Sequence, residues 1–134
     1  MKPHDTDILI SGGGVAGLIA ACAFGGAGFS VICVDPTPPV TDEQAEGADL
    51  RTTAFLQPAK KLFETSGLWT RLQPYAAALQ IMRIVDAGGK DYAARDVADF
   101  DARDISDAPF GWNFPNWLLR RELLARIGEL PNVV

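Results

Sequence analysis

The sequence has few of the residues that metal sites, disulfide frameworks and histidine-based catalysis require. Its 134 residues include two cysteines and one histidine. Cys22 and Cys33 are too few and wrongly spaced for a metal cluster or a Cys-x-x-Cys redox pair. Both lie in apolar runs, where a thiol acts as a small buried hydrophobe. We expect His4 to be a solvated terminal residue, which excludes a histidine-based acid–base or nucleophilic mechanism.

An excess of basic charge is also missing. Twelve Lys and Arg residues stand against 17 Asp and Glu residues, which gives a net charge of −5 and argues against a nucleic-acid-binding surface. The sequence contains no run of about 20 apolar residues, the length that would predict a membrane span. Asp5, Asp7 and three consecutive glycines are also wrong for a secretory signal. Together with the sparse cysteine, these features predict a cytoplasmic location.

What the sequence does contain is a strand–helix–strand pattern within its first 35 residues. Asp7–Ser11 and Ser30–Val34 are β-branched runs typical of buried parallel strands. Between them, Val15–Ala27 is small and apolar, which suits a buried helix. The three segments predict a right-handed βαβ unit. We therefore expect an α/β fold, with a Rossmann-like parallel sheet that is flanked by helices and is incomplete.

The rest of the sequence predicts a loop followed by alternating helices and strands. Residues 36–50 are rich in proline and then in acidic residues, and we expect a mobile loop there. The other predicted elements are a helix from Thr53 to Ser66 closed by Gly67, a helical turn at 68–72, a strand at 79–86 with a hairpin partner near Tyr92, a strand at 110–114, a helix at 117–129 and the start of a strand at 132–134.

The string G-x-G-x-x-G stands between the first predicted strand and the first predicted helix. Gly12 permits a tight turn, Gly14 lets the backbone approach a pyrophosphate, and Gly17 lets the helix pack closely on the sheet. With Val15 and Ala16 in the first turn, free N–H groups and the positive end of the helix dipole face the phosphates. This context favours a dinucleotide site over a glycine turn that is only structural.

Asp35 ends the second predicted strand, where a carboxylate can accept hydrogen bonds from both ribose hydroxyls. The alternative is a solvated aspartate at a strand end. Residues 36–39 offer no Arg or Lys for a 2′-phosphate, which disfavours NADP at this site. The glycines and Asp35 by themselves leave FAD and NAD both open.

Two further stretches resemble a known family. Residues 49–54 (Asp-Leu-Arg-Thr-Thr-Ala), continued by residues 60–69, resemble the segment that follows the second strand in flavin-dependent aromatic hydroxylases. Residues 116–124 (Asn-Trp-Leu-Leu-Arg-Arg-Glu-Leu-Leu) are similar to the next landmark of that family. The sequence most resembles the ubiquinone-biosynthesis (polyprenyl-phenol) hydroxylases of the para-hydroxybenzoate hydroxylase group.

The resemblance implies that the cofactor is FAD and that NAD(P)H is the co-substrate of a longer parent enzyme. Arg51 matches the family arginine that lies against the FAD diphosphate, where a guanidinium fork suits phosphate oxygens. Arg120 matches an arginine at a helix start near the same cofactor, and Asn116 a polar residue that often contacts it. The neighbouring Arg121 leaves the choice between the two arginines open.

The resemblance further implies that residues 1–134 are the N-terminal portion of an FAD-binding domain. The parent would be a monooxygenase that hydroxylates a small aromatic substrate or quinone precursor with NAD(P)H and O₂. Family members continue with Asp-Gly and Gly-Asp cofactor motifs and a substrate domain, which this sequence lacks. We therefore expect the chain to be inactive by itself. Two alternatives are the NAD-binding domain of a dehydrogenase and a catalytically inert truncated module.

Two further expectations concern packing and surroundings. We interpret the side chains of Trp69, Trp112 and Trp117 as packing residues rather than flavin-stacking ones. An incomplete parallel sheet exposes an apolar edge, which predicts self-association through that edge. Peripheral membrane association of the parent enzyme is left open.

Overall fold

The computed structural model describes residues 5–134 and has an α/β fold, as expected, but it contains antiparallel as well as parallel strands. The strands are β1 (Ile8–Ser11), β2 (Val31–Val34), β3 (Thr52–Leu56), β4 (Ala77–Leu79), β5 (Ile81–Asp86), β6 (Asp96–Asp101) and β7 (Gly111–Pro115). The α-helices are α1 (Val15–Gly26), α2 (Gln57–Thr65), α3 (Trp69–Leu72) and α4 (Asn116–Ile127). Residues 36–50 contain neither helix nor strand, as predicted, and their mobility stays a prediction.

The predicted βαβ unit is present at the start of the described chain. Strands β1 and β2 are parallel, and α1 connects them. The end of the chain pairs with the other side of β2, because the N–H of Val31 donates to the Asn132 carbonyl (2.8 Å) and that of Cys33 to the Val134 carbonyl (2.7 Å). The strand start predicted at 132–134 is thus present as a parallel bridge. Strand β2 lies in the middle, and within residues 5–134 β1 is paired on one side only.

The main core lies between α1, α2, α4 and β7. Its fully buried members are Leu18, Cys22, Phe63, Leu68, Leu72, Phe114, Leu118, Leu119 and Leu123. A second cluster of Ala21, Val31 and Val133 joins α1 to the parallel strands. Burial raises the pKa of the Cys22 thiol to about 11, so the thiol stays protonated and acts as the buried hydrophobe that its apolar setting predicts.

A second sheet is antiparallel and has the order β3-β7-β4. The helix predicted from Thr53 is wrong in its first four residues, because residues 53–56 belong to strand β3 and pair with β7. Helix α2 begins at Gln57, and Pro58 occupies its first turn, where proline is tolerated. The helix ends as predicted: Gly67, with φ of +74°, follows its last turn.

The third sheet is a two-stranded hairpin of β5 and β6. The predicted strand at 79–86 is divided, because Leu79 pairs within the β4–β7 sheet and Gln80 accepts from the N–H of Ala102 instead. The hairpin partner begins at Asp96, later than the expected position near Tyr92. Every residue of β5 is exposed to solvent. Across residues 5–134, no helix has the length and apolar character needed to cross a bilayer.

Candidate cofactor site

The glycine loop between β1 and α1 has the geometry that its sequence predicts. Gly12 has φ of +114°, a backbone conformation that side-chain-bearing residues rarely adopt. A Cβ at Gly17 would lie 1.8 Å from the Gly12 carbonyl oxygen, so this contact between helix and loop excludes any side chain. A Cβ at Gly14 would meet no described atom within 4 Å, so the space in front of it is open. Phosphate contact by these residues stays a prediction.

Helix α1 presents an unneutralised N-terminus to this open space. Gly14 is its N-cap and supplies no side-chain cap, and the first turn contains no acidic residue. The first intrahelical bond runs from the N–H of Leu18 to the Gly14 carbonyl (2.9 Å). The N–H groups of Val15, Ala16 and Gly17 therefore precede the helical ladder, and the helix dipole makes this end attractive to an anion.

Asp35 lies directly beside the glycine loop. One carboxylate oxygen accepts the N–H of Gly13 (2.7 Å), and the other accepts the N–H (2.9 Å) and hydroxyl (3.2 Å) of Thr37. These bonds, led by those from the Thr37 and Gly13 backbones, lower the pKa of Asp35. An ionised carboxylate therefore stands at the end of β2, where it can accept hydrogen bonds from hydroxyl groups of a ligand.

An apolar cavity of about 380 Å³ opens next to Asp35. It lies beyond the carboxyl ends of the parallel strands, the usual place for a ligand in an α/β sheet. Its volume falls within the range of small-molecule sites. The lining residues are Gly13, Leu18, Cys33, Asp35, Thr37, Pro38, Pro39, Leu124, Ile127, Val133 and Val134. The lining is mostly hydrophobic, and its polar groups stand at the end near Asp35.

Asp49 connects the other predicted residues of the site. The guanidinium of Arg51 donates two hydrogen bonds to the Asp49 carboxylate, from Nε to Oδ1 and from Nη2 to Oδ2 (both 2.8 Å). The Asn116 amide also donates to Oδ2 (3.0 Å), and Nη2 of Arg120 lies 3.7 Å from the same oxygen. The bonds from Arg51 and then Asn116 hold the pKa of Asp49 far below its ordinary value. The Asp49 side chain is only 12% exposed, whereas that of Arg51 is 83% exposed.

Asn116 and Arg120 come from the first turns of α4. Asn116 is 8% exposed, and its Oδ1 accepts the Thr53 hydroxyl (2.6 Å), so both polar atoms of its amide bond inside the chain. Cofactor contact by Asn116 stays a prediction. The Nε of Arg120 is buried and has no hydrogen-bond partner among the described residues. The charge of Arg120 also makes a small contribution to lowering the pKa of Asp35.

The structure separates the two neighbouring arginines that the sequence left open. Arg121 bonds Glu122 (2.9 Å), and its guanidinium lies over the rings of Tyr75 (5.5 Å) and Trp117 (5.3 Å). Arg120 is the one that approaches Asp49. The structure therefore brings Arg120, and not Arg121, to the candidate site.

The tryptophans lie in packing contacts. Trp69 and Trp112 meet edge to face with centroids 5.1 Å apart, and Lys60 lies over Trp69 at 4.9 Å. The lining of the cavity beside Asp35 includes no tryptophan. His4 lies outside the described residues.

Sequence reasoning missed Asp49 and Thr37. Asp49 stands within a stretch that we read only for its arginine, yet an aspartate two residues before an arginine is a signal for a local ion pair. Thr37 was read only as part of a segment without basic residues. Its position two residues after Asp35 is the spacing at which an aspartate bonds a following backbone N–H.

The chain is similar to known hydroxylases. Over 125 residues the chain is 34% identical to the ubiquinone hydroxylase UbiL of Rhodospirillum rubrum, a match that covers 93% of this chain and 28% of that protein. Over 134 residues it is 31% identical to the 3-(3-hydroxy-phenyl)propionate/3-hydroxycinnamic acid hydroxylase of Mycobacterium avium, covering 97% and 21%. The predicted resemblance to aromatic hydroxylases is confirmed. The chain spans less than a third of the length of these curated relatives.

Solved structures share the fold. The p-nitrophenol 4-monooxygenase PnpA of Pseudomonas putida superposes with a TM-score of 0.68 at 20% identity, covering 99% of this chain and 31% of that one. The flavin-dependent monooxygenase PieE, solved with FAD and substrate, gives 0.68 at 22%, covering 98% and 24%. The chain therefore has the fold of a part of these monooxygenases. No family model matches the sequence.

Proposed function

We propose that this chain is the FAD-binding portion of a flavin-dependent monooxygenase. The parent enzyme would hydroxylate a small aromatic or quinone-precursor ring with NAD(P)H and O₂. The observation that carries the proposal is the convergence of three groups at one sheet end: the open glycine loop, the free start of α1 and the Asp35 carboxylate. Similarity to two hydroxylases and a shared fold with flavin-dependent monooxygenases support it.

The groups present fit the polar part of FAD. The backbone N–H groups of Val15 and Ala16, with the open face of Gly14, suit a pyrophosphate. Asp35 suits the adenosine ribose, and the apolar cavity next to it suits the flat adenine ring. Arg51 and Arg120 offer positive charge toward the diphosphate, and the unpartnered Nε of Arg120 is a donor that a ligand oxygen would satisfy.

FAD, when bound, supplies the oxygen chemistry of such enzymes. The residues of this chain bind and orient the cofactor, and we propose that the chain by itself does not catalyse hydroxylation.

Three further proposals concern the sheet, self-association and location. The β1–β2 pair and its Val133 bridge would be part of a Rossmann-like parallel sheet. The free side of β1 would support self-association. A cytoplasmic location is proposed because both cysteines are free thiols.

Calorimetry with FAD, ADP, NAD and NADP on the same chain tests the proposal. We expect binding of FAD and ADP, because both carry the adenosine diphosphate, and weaker binding of NADP, because residues 36–39 offer no basic group to its 2′-phosphate. Asp35→Asn should weaken FAD and ADP together. Tight binding of NAD with none of FAD would instead support a dehydrogenase domain. Absence of binding to all four would support an inert module.

A further inference from the structure

We propose that Asp49 is a positioning residue, whose carboxylate holds Arg51 and Arg120 in the orientation in which they meet the phosphates of the cofactor. This inference rests on the proposed function above. It concerns a residue that would act through its neighbours, since its own oxygens already accept bonds from within the chain.

The first step of the inference is the pairing with Arg51. A guanidinium has five N–H donors, and the fork to Asp49 uses two of them. The other three are left on the sides that face away from Asp49. The Arg51 side chain is 83% exposed, so without this fork it would be free to sample many rotamers. The fork keeps one orientation and leaves the remaining donors available to a phosphate.

The second step concerns α4. Oδ2 of Asp49 accepts hydrogen bonds from Arg51 (2.8 Å) and Asn116 (3.0 Å), and Nη2 of Arg120 lies 3.7 Å away as an ion pair. Asn116 is itself fixed by the Thr53 hydroxyl, and its backbone N–H donates to the Arg51 carbonyl (2.9 Å). Asp49 therefore ties the start of β3 to the start of α4. Its negative charge also lets two arginines stand close together without net repulsion.

The third step is that a neutral amide cannot replace this carboxylate. Asparagine has the same size, but one acceptor oxygen and no charge, so it cannot accept both arms of the Arg51 fork. A matched control lies on the hairpin: Arg83 grips Asp99 with the same two-bond fork, from Nε and Nη2 (both 2.7 Å). Asp99→Asn breaks an equivalent fork away from the candidate site.

The test is a double-mutant cycle for FAD affinity on residues 1–134, with Asp49→Asn, Arg51→Met and the double variant. We expect Asp49→Asn to weaken FAD by about ten-fold and Asp99→Asn to change it by less than about two-fold. In the Arg51→Met background, the effect of Asp49→Asn should shrink to the part carried by Arg120. An equal loss in both backgrounds, or no loss at all, would overturn the proposal.

A second readout does not depend on ligand binding. In the nitrogen–proton NMR spectrum, the Nε–H of Arg51 should be protected from exchange with water in the unmutated chain and in the Asp99→Asn variant. It should be unprotected in the Asp49→Asn variant. If the unmutated 134-residue chain does not bind FAD, the proposed function fails, and the NMR measurement still tests whether Asp49 holds Arg51. An Arg51 signal that is unchanged in Asp49→Asn overturns the positioning role in either case.

Discussion

Two regions of this chain contain the same kind of aspartate–arginine fork in opposite surroundings. Both arginines are exposed (Arg51 83%, Arg83 64%), but Asp49 at the candidate site is 12% exposed and also accepts from Asn116, whereas Asp99 on the hairpin is 43% exposed. An exposed ion pair is screened by water and contributes little to stability, while a covered carboxylate with further partners fixes the positions of several groups. Pair geometry alone therefore does not reveal a site. Burial and additional partners do.

The same contrast holds for apolar residues. Leu119 in α4 is 0% exposed and belongs to the main core, whereas Ile84 in β5 is 53% exposed. The β5–β6 hairpin is hydrogen-bonded along its length and yet buries little hydrophobic surface. Its stability rests on its backbone ladder, while the helical part is stabilised by burial.

The largest expected difference between the regions is in the free energy of unfolding. Leu119→Ala should cost about 2–5 kcal/mol, because it leaves a cavity in the core. Ile84→Ala should cost less than about 0.5 kcal/mol, because the side chain is already half in water. Urea denaturation followed by circular dichroism measures both. Equal losses would mean that the hairpin is buried in solution, for example against another molecule.

The next prediction separates Gly17, which packs the helix on the loop, from Gly14, which we propose faces the ligand. Gly17→Ala should cost about 1–3 kcal/mol, because its Cβ would clash with the Gly12 carbonyl and force the helix from the loop. Gly14→Ala should change stability by less than about 1 kcal/mol, since its Cβ meets no described atom. The Gly14 variant should nevertheless lose FAD affinity, as measured by calorimetry. Unchanged affinity would show that no phosphate approaches Gly14.

Acid pH should weaken both regions, through carboxylates whose pKa is lower in the folded state. Hydrogen bonds from Arg103 lower the pKa of Asp101, the last residue of β6 in the hairpin, to about 2. A carboxylate with a depressed folded pKa stabilises the fold above its unfolded pKa and loses that contribution as pH falls through the folded value. Asp101→Asn should therefore flatten the dependence of stability on pH between about 4 and 2. Asp49→Asn should act at still lower pH, because its pKa is depressed further.

Denaturant unfolding at a series of acid pH values measures these slopes. An Asp101→Asn chain with the same slope as the parent between about pH 4 and 2 would show that the Arg103 pairing does not persist in solution.

The smallest expected effect concerns association, and it distinguishes the two exposed apolar surfaces. Leu9→Lys places a charge on strand β1, which is paired on one side only among the described residues and on which Leu9 is exposed. If the chain self-associates through this edge, light scattering at high concentration should show less association than in the parent. Val85→Lys on the hairpin is the control and should leave it unchanged. If Val85→Lys reduces association and Leu9→Lys does not, the association surface is the hairpin. If the unmutated chain stays monomeric at high concentration, neither surface mediates association.

The parts of the fold that were predictable from sequence are those set by local signals. The βαβ unit and the positive φ at Gly12 follow from strand patterning and glycine spacing within a short stretch. Strand β3 was mistaken for a helix because its pairing partner β7 lies far along the chain. The contacts of Asp49 were not predicted for the same reason: only Arg51 is nearby in sequence, while Asn116 and Arg120 are contributed by the last helix.

The alkylation rates of the two thiols report on two different regions of the chain. Cys22 is sealed in the core, whereas Cys33 is half-buried in the lining of the cavity next to Asp35. Burial, and then the charge of Asp35, raise the pKa of Cys33, so its alkylation at neutral pH should be slow. Filling the cavity should slow it further, and only unfolding should release Cys22. Mass spectrometry of the alkylated chain, without any mutation, can thus measure cavity occupancy at Cys33 and unfolding at Cys22 in one experiment.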